Sequence, residues 1–351
     1  MNRVNCVLCD SKLNEITTIQ NCKYLCSDNP DINNVWGMKI GSCEKCYSVQ
    51  LMTLMDPNIL YGPNYFQPLN NSYIWVQHNI SFTNFIVKNL PFSPIIEIGS
   101  SSFCLGKHLI HYYKDYTVFD YCVNCEKRPD VKYIEGNCEN YDFPENSNII
   151  MSHVFEHLYE PKKFIKNCKK NKVKKILISI PKMNNDRFNI NEQHTFLYNE
   201  NDIEYIFSLY DYKLIKSESF ISSDDSFESL FFYFELSENV EIVQIMDIER
   251  HNYSINFLNE DIIVPPNSYL CPTSSSTIFL YHKIKNKESI IGCLDKNEIK
   301  KGKYFGFTEL KINNYSNIKD DATVIVYSSN INNNIISTIK DSNANINIIN
   351  I

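Results

Sequence analysis

Ile95-Ile96-Glu97-Ile98-Gly99-Ser100 is an apolar run that closes on an acid, a glycine and a serine, and helical periodicity follows it as far as Tyr113. Upstream, Ile74 to Leu90 has the spacing of an amphipathic helix; downstream, Thr117-Val118-Phe119 is a second short apolar run. Strand, helix and strand at this spacing predict a parallel sheet. The pattern continues with strands expected at Val131 to Ile134, Asn148 to Ser152, Lys175 to Ile180 and Ser229 to Leu236, and helices at Pro161 to Lys170 and Asn201 to Leu209. Together these make one doubly wound α/β unit. In such a sheet ligands bind at the carboxyl ends of the strands, where a glycine turn lets backbone approach closely. Gly99 supplies that turn. Asp120, 23 residues beyond Glu97, ends the next strand and is placed to accept hydrogen bonds from a ribose. Taken alone, Glu97 also suits a helix cap and Asp120 an ordinary strand end.

The chain has 351 residues, enough for two or three domains of roughly 100 to 200 residues. Its formal charge of −7 and 43% hydrophobic content argue against disorder and against a broad basic surface, so nucleic acid is not an expected partner. No run of 18 apolar residues occurs, and Met1 to Cys9 do not form a leader, which predicts a soluble, cytoplasmic protein with no membrane partner. The expected division is 1–60 for a cysteine-marked module, 61–240 for the doubly wound unit, and 241–351 for a smaller α/β domain. The last has strands expected at Ser268 to Cys271, Ser289 to Leu294, Thr323 to Tyr327 and Ile346 to Ile349. Helices are expected after the first of these and around Ile331 to Lys340.

Cys6-Val-Leu-Cys9 and Cys43-Glu-Lys-Cys46 are two CxxC pairs joined by a loop long enough to fold back. Four thiolates make a closed tetrahedral set, the donor set of structural zinc. The alternative is a set of buried thiols without metal. Cys22 and Cys26 read as bystanders, and Cys122 with Cys125 as incidental, since no second pair lies nearby. Beyond Lys12, the loop between the pairs offers only Lys23 and Lys39 as basic residues, a poor nucleic-acid surface.

Met151-Ser152-His153-Val154-Phe155-Glu156-His157-Leu158-Tyr159-Glu160-Pro161 runs from an apolar strand into Glu-His, an acid and a proline. This resembles the segment after the fourth strand in class I S-adenosylmethionine-dependent methyltransferases. Tyr133 to Glu139 resembles their adenine-side loop. With the CxxC pairs upstream and a second α/β domain downstream, the whole chain is similar to three-part sugar methyltransferases, including nucleotide-sugar C-methyltransferases. The resemblance implies a zinc ribbon, a Rossmann-like methyltransferase domain and a smaller Rossmann-like domain. It implies S-adenosylmethionine and zinc as cofactors, and a nucleotide-linked deoxysugar as the methyl acceptor. On these positions Glu97 and Gly99 match the first loop, Asp120 the ribose acid, and Asn137 an adenine-side position usually held by Asp, while His153 and Glu156 line the cofactor pocket. His157 reads rather as a packing or capping residue. Ser101-Ser102-Phe103 departs from the small residues that continue the family's first loop.

Asn191-Glu192-Gln193-His194 stands where the C-methyltransferases carry Tyr-His-Glu-His. Only His194 matches. It is the candidate base or substrate ligand, the other reading being a histidine at the entry to the helix beyond Asn199. With Asn191 and Gln193 replacing Tyr and Glu, transfer to carbon or to oxygen both remain open. In the last domain Pro272 to Ser276 and Asp295 sit where a phosphate turn and a ribose acid would, and read as architectural. Two rival functions stand: a zinc-ribbon RNA methyltransferase, and a methyltransferase-fold scaffold without catalysis. Oligomeric state is not legible.

Overall fold

The computed structural model describes residues 1–19, 26–27, 37–61, 73–91, 94–100, 102–123, 126–182, 191–223, 227–245, 261–306, 308–327, 332–342 and 346–350. Cys22, Lys23, Ser101, Cys125 and most of the connector after Tyr61 lie outside them.

The strands are β1 (Leu13–Ile19), β2 (Cys26–Ser27), β3 (Met38–Cys43), β4 (Val49–Leu51), β5 (Ile95–Ile98), β6 (Tyr116–Asp120), β7 (Val131–Glu135), β8 (Asn148–Ser152), β9 (Lys175–Pro181), β10 (Tyr212–Ile221) and β11 (Glu228–Leu236). They continue with β12 (Ser268–Cys271), β13 (Ile290–Leu294), β14 (Tyr304–Phe305), β15 (Ile312–Asn313), β16 (Thr323–Val326) and β17 (Asn347–Asn350). The central sheet has the order β10-β11-β9-β8-β5-β6-β7. Strands β5 to β9 pair in parallel, as expected from the sequence. The sheet is nevertheless mixed, because β11 pairs antiparallel with both β9 and β10. From the β7 edge the parallel strands run third, second, first, fourth, fifth, so the order reverses between β5 and β8. The crevice for a ligand in a doubly wound sheet opens at that reversal.

Period-two alternation divides the side chains of this sheet between two cores. Ile96, Ile98, Ile149, Met151, Ile176 and Ile178 pack on one face with Phe164, Ile165 and Phe207. Ile95, Val118, Ile150 and Leu177 pack on the other with Phe82, Phe85 and Leu109. Burial on both faces is why these strands read as unbroken apolar runs. Each such side chain contributes about 1.5 to 3 kcal/mol on leaving water. The Pro161–Lys170 helix starts with proline at its first turn, where no N–H is needed, and buries Phe164, Ile165 and Cys168. The helix expected up to Tyr113 is one turn, Gly106–Leu109; it begins no earlier because Phe103 takes a left-handed φ of 60° just before it.

A second sheet, β15-β13-β12-β16-β17, is parallel throughout and repeats the same winding. The Ser275–Lys283 helix follows β12 and the Asn332–Ser342 helix precedes β17. The N-terminal sheet, β1-β3-β4, is antiparallel. It does not stand apart, since Gln50 in β4 bridges to Phe196 and β2 pairs with β14. Among the described residues no helix is long and apolar enough to cross a membrane.

Candidate functional site

Cys6, Cys9, Cys43 and Cys46 converge with all four sulfurs within 4.8 Å of one another. The Sγ atoms of Cys6 and Cys46 are 3.6 Å apart and those of Cys9 and Cys43 are 3.4 Å apart, as free thiols. Tetrahedral zinc with Zn–S bonds of about 2.3 Å requires sulfurs about 3.8 Å apart, so the donor set fits the ion. Main-chain N–H groups of Leu8, Lys45 and Cys46, and Nε2 of Gln50, already point at Cys6 and Cys43 sulfur. Such donors stabilise thiolate charge around a bound cation.

The module is fastened to the central domain beside His194. Leu51 N–H donates to Thr195 O, and Leu197 N–H donates to Val49 O. Arg3 is buried, and donates through Nη1 to Thr195 O over 2.6 Å and through Nη2 to Tyr159 O over 2.8 Å. Burial lowers its pKa to about 10, which leaves it cationic at neutral pH.

At the reversal point, Gly99 has a φ of 73°, and a Cβ there would lie 2.3 Å from Cγ2 of Val154. Both the backbone conformation and the closeness of the β8 loop therefore demand glycine. Glu97 is buried; its Oε2 accepts from Ser100 Oγ over 3.1 Å and Tyr116 OH over 2.6 Å. Burial pushes its carboxyl up to about 7. Glu97 thus holds the loop that begins at Gly99. Asp120 sits at the carboxyl end of β6, where its Oδ1 accepts from Tyr121 N–H over 2.7 Å. Asn137 caps the turn after β7, with Oδ1 accepting from Glu139 N–H over 2.8 Å. Phe103, the departure in the first loop, is buried in the core with Tyr116 and Leu109, and its ring fills the space a Cβ on Gly106 would need.

Beyond β8, His153 also has a left-handed φ, 54°, unusual for a non-glycine residue. Its N–H donates to Ser179 O, its Nε2 lies 3.0 Å from Ser229 Oγ, and its Nδ1 lies 3.5 Å from Oε1 of Glu156. Burial lowers its pKa to about 3, so the ring is neutral. The Glu156 side chain is also buried, and neither of its oxygens accepts a hydrogen bond among the described residues. Burial raises this carboxyl to about 7, with nearby His194 acting in the opposite direction. Glu156, His157 and His194 bring one ligand atom each to within 4.8 Å of one another. The rings of His157 and His194 are 5.2 Å apart, and Tyr61 stacks on His157. Burial keeps His157 neutral. The backbone of His194 is set by Asn191, whose Oδ1 accepts from the N–H groups of Gln193 and His194, and by Thr195 N–H on Glu156 O.

Sequence alone did not bring His157 into this group, nor did it single out His78. His78 is buried with Nε2 2.8 Å from Ser179 Oγ, its ring 4.9 Å from that of His153. The available signal was a histidine at helical spacing from Phe82, Phe85 and Ile86. In the last domain the Asp295 carboxylate accepts from Thr273 and from Lys300 Nζ, the latter over 2.8 Å, and so braces the strand ends.

No family model matches the chain, and no curated protein matches it. Among solved structures, it is similar to the N-methyltransferase NodS of Bradyrhizobium japonicum WM9 in complex with S-adenosyl-l-homocysteine. Identity there is 12% and the TM-score 0.41, covering 52% of this chain and 96% of that one. It is also similar to magnesium protoporphyrin IX methyltransferase of Synechocystis PCC 6803, at 12% identity and a TM-score of 0.36 over 51% and 92% of the two chains. A third is phosphoethanolamine N-methyltransferase 2 of Haemonchus contortus, at 13% identity and 0.41 over 58% and 64%.

Proposed function

We propose that the chain transfers a methyl group from S-adenosylmethionine to a small-molecule acceptor, a nucleotide-linked deoxysugar being the favoured class. The observation that carries this reading is the reversal of strand order between β5 and β8, the point at which a doubly wound sheet offers a ligand crevice. The Gly99 turn and Asp120 flank it on adjacent strand ends, and Glu156, His157 and His194 gather beyond β8. The cofactor supplies a methyl on a sulfonium sulfur, and its displacement is in-line, so the protein's work is orientation and removal of one proton. In this reading Asp120 accepts from the ribose hydroxyls, Gly99 lets the amino-acid end approach the backbone, and Asn137 lies on the adenine side. Glu97 positions the first loop, while His153 and Glu156 line the pocket. His194 serves the acceptor, as base or as ligand. Cys6, Cys9, Cys43 and Cys46 hold a structural zinc, and the chain divides at about residues 60 and 240 into module, methyltransferase domain and C-terminal domain.

Calorimetry with S-adenosylmethionine, followed by intact-mass analysis of a nucleotide-sugar panel incubated with protein and cofactor, tests the function. A gain of one methylene mass on a sugar supports it. Absence of cofactor binding by folded protein sinks it and favours the non-catalytic scaffold.

A further inference from the structure

We propose that Glu156, His157 and His194 form a second metal centre, one that binds a divalent first-row cation at the acceptor end of the crevice. The inference rests on the reading of His194 as an acceptor-side group, and makes its role that of a ligand.

Two independent observations meet here. The first is convergence: a carboxylate oxygen and two imidazole nitrogens lie within 4.8 Å of one another, from segments 37 residues apart in sequence. Three donors bound at about 2.1 Å to a common ion lie about 3 to 3.6 Å apart, so side-chain movements of under about 1 Å close the set. The second is the state of Glu156. Burying a carboxylate without hydrogen bonds costs free energy that a fold ordinarily avoids. Yet both oxygens of Glu156 are buried and accept none among the described residues, while the ring of His153 stands 3.5 Å from Oε1. A cation between Glu156 and the imidazoles of His157 and His194 would compensate that charge. The backbone is also built for it, since Thr195 N–H on Glu156 O fixes the two ligand segments against each other.

Two imidazoles and one carboxylate are the donor set of divalent iron, manganese, zinc and their neighbours, and three protein ligands leave positions open for a substrate. An oxygen suits those positions and a saturated carbon does not. The centre therefore favours a hydroxyl acceptor: on a divalent cation the hydroxyl would release its proton to solvent far more readily than a free one, and its oxygen would bond to the methyl carbon as the sulfonium carbon–sulfur bond breaks, leaving a neutral thioether.

The test uses the full chain as purified and Mn2+ as the probe, because manganese is a weak competitor for thiolates and leaves the cysteine cluster undisturbed. Binding is read from loss of the free Mn2+ signal in electron paramagnetic resonance, and cofactor binding separately by calorimetry. The expected result is one Mn2+ per chain, weakened about tenfold or more in Glu156→Gln and in His194→Asn, and unchanged in stoichiometry in Lys39→Gln on the N-terminal sheet. Thermal melts establish that each variant is folded, and His157→Asn replaces any that is not. An undiminished free Mn2+ signal at millimolar metal, with cofactor bound normally, overturns the metal centre and leaves the methyl-transfer reading standing. Equal Mn2+ affinity in wild type and folded variants overturns it as well. Mn2+ bound through these residues by a protein that does not bind S-adenosylmethionine supports the centre and removes methyl transfer.

Discussion

Nη1 of Arg3 donates to the carbonyl oxygen of Thr195 over 2.6 Å, which joins the third residue of the chain to the neighbour of His194. The same guanidinium donates to Tyr159, three residues beyond Glu156, so one buried cation spans both segments of the Glu156–His157–His194 cluster. Arg3→Met keeps most of the packing but leaves these carbonyls without their donor. Loss of about 1 to 3 kcal/mol of stability is expected, together with slower turnover at unchanged zinc content. Chemical denaturation and metal analysis on the same preparation check it.

One zinc per chain is expected in protein purified without chelators. Cys43→Ser breaks the tetrahedral set and should release it. Less than about a third of an equivalent in the wild type, or undiminished zinc in the variant, counts against the site.

Asp120→Ala should weaken S-adenosylmethionine by about 1 to 3 kcal/mol, the scale of hydrogen bonds to a charged group. Calorimetry decides. Equal affinities take Asp120 out of the pocket.

His194→Ala should lower turnover by about 100-fold or more and leave cofactor affinity nearly intact. Rates are normalised to cofactor-binding sites, so that misfolded protein is not counted as lost chemistry. A normalised rate within about threefold of wild type identifies a helix-entry histidine instead.

Glu97 makes stability depend on pH. Its carboxyl rises to about 7 in the folded protein, so the native state keeps a proton that the unfolded chain releases near the ordinary carboxylate pKa. Where the native state binds more protons, stability falls as pH rises. The contribution is complete below the unfolded pKa and is lost as pH climbs through about 7. Glu97→Gln, which can still accept from Tyr116 and Ser100, should flatten the decline in melting temperature between about pH 5 and 7. An unchanged profile assigns the dependence to other groups.

The central strands were legible because burial on both faces leaves a dense apolar signal: Asn148–Ser152 and the Pro161–Lys170 helix fall where the residues predict them. The rim was not. No strand was expected at β10, where Lys213, Lys216, Ser217 and Glu218 break the apolar signal, yet an edge strand needs only one paired side and few buried residues. That omission also hid the antiparallel closure of the sheet. Of the candidate site, Gly99 and Asp120 could be placed by strand-end logic. The meeting of His157 with His194 could not, since it depends on the packing of residues 191–196 across Glu156, which no spacing rule encodes.

Ser48 donates its hydroxyl to the carbonyl of Leu197, 149 residues later, beside the β4 contacts already described. During synthesis the cysteine module therefore emerges long before the backbone that completes its last strand. Until residues 195–197 appear, β4 presents an open rim, and the order of loading becomes a matter of timing. The four thiols can gather early, and a zinc ion, if they hold one as proposed, can be captured then, but the module gains its permanent seat only when the sheet of the central domain is nearly finished.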